Sequence, residues 1–151
     1  MKQTRSSIDE LTTGSFQEVL DDPGDIDPAE VTRIIFCSGQ VAWDAIDERD
    51  RRGAPVAVVR LEQLYPLPTE RMLSILDKYH NARELRWLQE EPSNMGAWNF
   101  IEHNTWRVKD QGYDLRHVAR VESGSPATGS KKIHDQELAE LMDRVFRPVR
   151  D

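Results

Sequence analysis

The sequence contains a single cysteine, Cys37, and no long apolar run. One cysteine cannot form an internal disulfide bond, which is typical of proteins that fold in a reducing compartment. No stretch approaches the roughly 20 apolar residues that span a bilayer, and the first 30 residues lack the apolar segment of a secretory signal. We therefore expect a cytoplasmic protein, or one of the mitochondrial matrix if the source is eukaryotic.

Positive charge is also scarce. The sequence has 20 Lys and Arg against 27 Asp and Glu, which gives a net charge of −7. A nucleic-acid-binding domain needs a basic face, and anionic lipid surfaces also attract basic segments. The charge balance therefore argues against nucleic acid and membranes as partners. A length of 151 residues suits one globular domain that buries roughly 70% of its unfolded surface.

A complete set of catalytic or metal-binding residues is missing as well. The four histidines are scattered along the chain: His80, His103, His117 and His134. None has a second ligand at the spacing typical of zinc sites. Residues 124–131 superficially resemble a phosphate-binding loop, but that loop needs Lys directly after its second Gly, and Ser130 intervenes here. From the residues alone, we predict no catalytic, cofactor-binding or metal-binding residue.

The apolar residues that are present alternate between strand-like runs and helical stripes. The runs predict strands over residues 33–37, 55–61, 84–89 and 116–121. The stripes predict helices over residues 40–52, 69–79, 96–107 and 138–145. Gly53 is a natural C-cap, and Thr69 is a candidate N-cap. This alternation predicts an α/β domain with three layers, in which helices cover both faces of a mainly parallel sheet.

Residues 1–30 differ in composition from the remainder of the chain. Ser, Thr, Asp and Pro are frequent there, and the few apolar residues predict one or two short helical turns. We interpret residues 1–30 as an arm or linker and residues 31–151 as the α/β domain. The arm either packs on another surface or is partly disordered, as chain termini often are.

The segment from Leu88 to Trp98 is the most distinctive part of the chain. An apolar strand leads into Glu90 and Glu91, followed by a proline, a glycine and Trp98. This pattern predicts a shaped loop at the carboxyl end of a strand, where open α/β sheets place ligands or partners. Either the two carboxylates share acid–base chemistry, or one binds backbone N–H groups while the other is exposed. We regard Glu90, Glu91 and Trp98 as candidate interface residues.

Four ordered motifs give the chain a resemblance to a known family. Leu88–Trp98 closely resembles a segment of the 2-oxoglutarate dehydrogenase E1 component, a thiamine diphosphate-dependent enzyme. Three further stretches are similar to the same region: Cys37–Gln40, Val59–Pro68 and Ser125–His134. Their order and spacing match the C-terminal domain of that subunit over residues 31–146, and more loosely over the arm.

The resemblance implies a fold and a function. The fold is that of the transketolase C-terminal domain, a mostly parallel five-stranded sheet with one antiparallel edge strand and helices on both faces. The activity of the complete enzyme is the oxidative decarboxylation of 2-oxoglutarate with transfer of a succinyl group to a lipoyl group on E2. The implied partners are the remaining E1 domains, a second E1 subunit and the E2 succinyltransferase.

The resemblance also implies that the cofactors bind elsewhere. In the complete enzyme, upstream domains hold thiamine diphosphate and Mg²⁺, and the Gly-Asp-Gly motif with its later Asn does not occur in this sequence. We therefore expect a chain that is inactive alone and has a structural, dimerisation or regulatory role. The alternative is a stand-alone α/β module that binds an effector or another protein.

One bacterial branch of this family uses the domain in an acyl-CoA regulatory site. The matching positions in this sequence are Ser15, Glu18, Gln63, Glu70 and Arg71. Only Gln63 and Arg71 keep the residue types of that branch, which makes them the candidate effector contacts. Glu18 and Glu70 would repel a nucleotide phosphate, so we expect the site not to be retained.

Overall fold

The computed structural model describes residues 8–148, except for the side chain of Asp114. The elements follow in chain order: α1 (Ile8–Thr13), β1 (Val19–Leu20), β2 (Arg33–Cys37), α2 (Val41–Arg52), β3 (Val56–Leu61), α3 (Thr69–Lys78), β4 (Glu84–Pro92), α4 (Trp98–Asn104), α5 (Trp106–Lys109), β5 (Asp114–Arg120) and α6 (Lys131–Phe146). Within residues 8–148, no helix has both the length and the apolar character needed to cross a bilayer.

The five strands form one sheet in the order β1-β3-β2-β4-β5. β2 pairs in parallel with β3 and β4, and β5 pairs in parallel with β4. β1 is the antiparallel edge strand, with Val19 opposite Leu61 and Leu20 opposite Arg60. The predicted α/β fold, mostly parallel with one antiparallel edge strand, is therefore confirmed.

The sheet separates two apolar cores. Successive residues of β2 point to opposite faces, so Ile34 and Phe36 enter one core while Ile35 and Cys37 enter the other. α3, α4 and α5 cover the first core, and α2 and α6 cover the second. All five residues of β2 are buried, as expected for a central strand of a parallel sheet with helices on both faces.

The boundaries of α2 and α3 agree with the predictions to within one residue, whereas α6 begins at Lys131, seven residues before the predicted start. α2 ends at Arg52, and its predicted C-cap Gly53 adopts the left-handed conformation (φ 59°) and donates its N–H to the carbonyls of Arg49 and Asp50. The N-cap prediction for Thr69 is wrong, because α3 begins at Thr69 and Pro68 occupies the cap position without a capping hydrogen bond. The helix predicted over 96–107 is divided into α4 and α5 at Thr105, whose hydroxyl donates to the carbonyl of Ile101 (2.8 Å).

Two strand boundaries also differ from the predictions. β4 was expected to end at Gln89, but Pro92 pairs with Arg120 beyond an irregularity in the ladder, so the strand includes both glutamates. β5 covers Asp114–Arg120 in place of 116–121. Both glutamates therefore lie within the last residues of the strand, and the loop begins only after Pro92.

The segment that follows α1 packs on the domain through a buried carboxylate. Asp22 accepts hydrogen bonds from Arg49 of α2 and from the backbone N–H of Val58 (2.7 Å). The side chain of Asp22 is fully buried, and Gly24 donates its N–H to the same carboxylate (2.8 Å). This ion pair fixes β1 at the sheet edge. The division into an arm over 1–30 and a domain over 31–151 stays a prediction, and residues 1–7 and 149–151 lie outside the described part.

Candidate functional site

The strand order places a crevice between β2 and β4. From β2 the chain passes through α2 to β3 on one side, and it then passes through α3 to β4 on the other side of β2. Open α/β sheets bind ligands at such a switch point, outside the carboxyl ends of the strands. A cleft of about 420 Å³ lies at this position. We call it the switch-point cleft; its lining consists of Ser38, Gly39, Leu64, Tyr65, Trp87, Gln89, Glu90, Glu91, Gly96, Ala97 and Phe100.

A buried glutamine shapes one wall of the switch-point cleft. The side-chain oxygen of Gln89 accepts from the Trp87 indole (2.9 Å) and from the backbone N–H of Trp98 (3.0 Å). Its amide nitrogen donates to the carbonyls of Pro92 (3.1 Å) and Met95 (2.7 Å). All four hydrogen-bonding positions of the Gln89 amide are therefore occupied, and this side chain holds the loop 92–98 against β4.

Gly96 allows the loop to pass this glutamine. Its φ is +69°, and a Cβ atom at this position would lie 2.9 Å from the side-chain nitrogen of Gln89. A side chain would therefore be strained by the backbone conformation and would also crowd the amide. Gln89 was not among the site residues predicted from the sequence. The sequence contained one signal of this role: the Gln89 amide follows Trp87 by two residues, which places both side chains on the same face of the strand.

Trp98 anchors the end of the loop. It is 7% exposed, and its ring stacks on that of His117 with centroids 4.5 Å apart and planes 18° apart. Burial lowers the pKa of His117, and the neighbouring charges of Glu102 and Arg144 act in opposite directions. Trp106, by contrast, is 60% exposed. The two tryptophans therefore have different roles, and Trp98 belongs to the core of the chain.

Glu90 and Glu91 lie between the switch-point cleft and a second cleft. Both side chains are half-buried, and neither carboxylate has a hydrogen-bond or ion-pair partner among residues 8–148. Neither binds backbone N–H groups, which was one of the two alternatives drawn from the sequence. The second cleft, of about 530 Å³, is formed with Arg120, His134 and the loop before α6. The unpaired carboxylates are therefore available to cationic groups from outside the described chain.

An aromatic pair of one exposed and one half-buried ring borders the switch-point cleft. Tyr65 is 83% exposed, and its ring meets that of Phe100 edge to face, with centroids 6.2 Å apart. A large aromatic side chain that is exposed beside an apolar cleft is typical of a contact surface. Apolar and anionic groups therefore adjoin each other at this end of the sheet.

The candidate effector positions form a looser group. The Gln63 backbone N–H donates to the carbonyl of Glu18 (3.1 Å), and its side chain donates to the carbonyl of Pro66 (2.9 Å). Glu70 pairs with Arg107, whereas Arg71 and Ser15 are exposed. The structure thus brings Gln63 beside Glu18. A role of Gln63 and Arg71 in binding acyl-CoA stays a prediction.

Comparison with known proteins assigns the chain to a family. The model of the 2-oxoglutarate dehydrogenase C-terminal family matches residues 5–146. The chain belongs to this family. Similar proteins include the 2-oxoglutarate dehydrogenase E1 component of Cupriavidus necator, 37% identical over 99% of this chain and 16% of that protein. The E1 component of Rickettsia felis is 39% identical over 96% of this chain and 15% of its own length.

A third relative has a broader name. The multifunctional 2-oxoglutarate metabolism enzyme of Mycobacterium sp. is 37% identical over 97% of this chain and 12% of its own length. The chain thus spans only about a sixth or less of the length of these curated relatives. The four stretches that carry the sequence resemblance lie far apart in sequence, yet each contributes lining residues to the two clefts at the carboxyl ends of the strands.

Residues 8–148 do not fit the thiamine diphosphate and Mg²⁺ that the resemblance implies for a complete E1. The sequence lacks a Gly-Asp-Gly motif, and residues 8–148 contain no group of three or more His, Cys, Asp or Glu side chains that could hold a metal ion. Cys37 is buried, and desolvation raises the pKa of its thiol to about 12, which leaves it unreactive as a nucleophile.

Proposed function

We propose that this chain acts as the C-terminal domain of a 2-oxoglutarate dehydrogenase E1 and that its carboxyl-end surface contacts the remaining E1 domains. This surface comprises the two clefts, Glu90, Glu91 and the exposed ring of Tyr65. The proposal rests on the half-buried carboxylates, which have no partner within residues 8–148. A half-buried carboxylate is stabilised by a nearby opposite charge, and a neighbouring domain is the natural source of one.

In this role the chain supplies a surface and leaves the chemistry to other domains. The complete enzyme would use thiamine diphosphate and Mg²⁺ to decarboxylate 2-oxoglutarate and would pass the succinyl group to E2. A second E1 subunit and the E2 succinyltransferase are the further partners under this proposal. The proposed location is the cytoplasm, or the mitochondrial matrix in a eukaryote.

A reconstitution experiment tests this function. The 151-residue chain is incubated with thiamine diphosphate, Mg²⁺, 2-oxoglutarate and an artificial electron acceptor, first alone and then with the remaining E1 domains of the same organism. We expect turnover only in the mixture. Turnover by the chain alone would overturn the proposal, as would a mixture that is no more active than the remaining domains by themselves.

A second candidate function is a stand-alone module that binds an effector or another protein. The size and apolar walls of the switch-point cleft favour it, because small-molecule sites are concave and mainly apolar. The length of the natural gene product separates the two functions: a long E1 polypeptide that ends in this sequence excludes the module.

For Gln63 and Arg71, calorimetry with acetyl-CoA is the direct test, and we expect no binding because Glu18 and Glu70 add negative charge.

A further inference from the structure

The outer edge of the sheet at β5 has no neighbouring strand within residues 8–148. The N–H of Ser93 donates to the carbonyl of Arg120 (2.9 Å), so the backbone groups of Arg120 face β4. Backbone groups alternate in direction along a strand, and those of Leu115, His117 and Ala119 therefore face outward. One of these carbonyls, that of Ala119, accepts a hydrogen bond from Arg144 (2.7 Å). Among residues 8–148, no hydrogen bond to the outward carbonyls of Leu115 and His117 is present; His117 is exposed, whereas Leu115 is 7% exposed.

Arginines surround this edge although the chain as a whole is acidic. Arg116, Arg144 and Arg147 are exposed and line a cleft of about 320 Å³ together with Arg86 and His117. We call this surface the arginine edge: the outer edge of β5 with Arg116, Arg144 and Arg147. Its charge is opposite to the net charge of −7 of the chain.

Part of this positive charge has a structural use. Arg86 donates to the carbonyls of Arg144 (2.6 Å), Val145 (2.8 Å) and Arg147 (2.7 Å) at the end of α6. It also shares the carboxylate of Glu84 with Arg33, so one anion faces two buried cations. Burial and then the neighbouring Arg33 lower the pKa of Arg86. The environment behind the arginine edge therefore has a surplus of positive charge.

The exposed arginines carry charge and hydrogen-bond donors that this structural use does not require. The side chain of Arg147 has no hydrogen-bond or ion-pair partner among residues 8–148, and Arg144 uses one of its five donors on Ala119. Charged side chains on an edge strand can serve simply to prevent unwanted pairing. Protection of the edge does not explain why arginines at the end of α6 also converge on it. Binding of carboxylates explains this convergence, because the Arg guanidinium matches a carboxylate in a bidentate geometry.

We propose that the arginine edge binds an extended, acidic segment of a partner protein as an additional strand. The segment would pair with the outward backbone groups of Leu115 and His117, and its carboxylates would contact Arg144 and Arg147. Strand addition obtains affinity from main-chain hydrogen bonds and specificity from side chains at alternate positions. This proposal is independent of the function proposed for the carboxyl-end surface.

Binding of a synthetic peptide tests the proposal. The probe is a fluorescent hexapeptide of alternating Glu and Val, added to the 151-residue chain at low ionic strength and followed by anisotropy. We expect saturable binding that weakens at least tenfold in Arg147→Glu and much less in the matched variant Arg71→Glu, since Arg71 is exposed on α3. Circular dichroism would verify that both variants are folded.

Two further probes separate strand addition from plain charge attraction. The same hexapeptide with N-methylated backbone amides keeps its charge but cannot pair, and we expect at least a tenfold loss of affinity. Citrate supplies carboxylates without a strand, and we expect it to compete only weakly. The proposal is overturned if no saturable binding occurs up to millimolar peptide, if N-methylation has no effect, if citrate competes as strongly as the peptide, or if both charge variants behave alike.

Discussion

The two ends of the parallel strands differ in how their charges are satisfied. At the amino ends, Arg33 contacts Glu84 at 2.6 Å, and Arg86 donates to three carbonyls at the end of α6. At the carboxyl ends, the carboxylates of Glu90 and Glu91 have no hydrogen-bond or ion-pair partner within residues 8–148, and Tyr65 is 83% exposed. Substitutions at the first end should therefore affect stability, whereas substitutions of the unpaired groups at the second should affect assembly.

The largest effect should come from the amino end. Arg86→Ala removes a buried cation that holds the carbonyls at the end of α6 and shares the carboxylate of Glu84. Breaking such a buried network typically destabilises a protein by about 3–5 kcal/mol. Urea unfolding followed by circular dichroism would measure the change in the free energy of unfolding. The exposed Arg71→Ala is the control, and equal losses in both variants would contradict a special role of the amino end.

A smaller loss is expected for the buried amide at the carboxyl end. Gln89→Leu leaves the Trp87 indole, the Trp98 N–H and two carbonyls without their partner. Leaving buried polar groups unpaired costs about 1–3 kcal/mol each, and water that enters the loop limits the total to about 2–3 kcal/mol. Urea unfolding measures the loss, with the exposed Gln111→Leu as control. An unchanged free energy of unfolding would show that the amide does not hold the loop.

The pH dependence of stability should also come from the amino end. Burial raises the pKa of Glu84, but the hydrogen bonds and charges of Arg33 and Arg86 outweigh it, so the pKa lies below its ordinary value of 4.5. The stabilisation is therefore present above about pH 4.5 and is lost as the pH falls through the folded-state pKa. Melting temperatures between pH 6 and pH 3 should fall less steeply in Glu84→Gln than in the wild type or in Glu122→Gln. Parallel curves would contradict this assignment.

The sequence predicted the parts of the fold that depend on neighbouring residues. The apolar runs of β2 and β3 and the amphipathic pattern of α2 are local, and the structure agrees with them. β1 was missed because two residues, Val19 and Leu20, carry no periodicity, and the pairing of Asp22 with Arg49 joins positions 27 residues apart. Such contacts become visible only when the sheet brings the segments together.

Prediction of the candidate site was limited in the same way, by contacts between residues that are distant in sequence. The segment Leu88–Trp98 was correctly placed at the carboxyl end of a strand, because an apolar run followed by Pro92 and Gly96 defines a turn. The extension of β4 to Pro92 was missed because it depends on pairing with Arg120. The role of Gln89 also depends on tertiary contacts, since its four partners come from a strand and from the loop that follows. Residue type and spacing therefore located the site but did not show what shapes it.

The most direct test of the proposed contact surface is a titration of the remaining E1 domains with this chain, with turnover of 2-oxoglutarate as the readout. We expect the double variant Glu90→Gln/Glu91→Gln to unfold within about 0.5 kcal/mol of the wild type, because surface changes without partners have small effects. It should nevertheless need at least tenfold more protein to restore turnover. Restoration at the same concentration as the wild type would contradict the assignment of the carboxyl-end surface to contacts within E1.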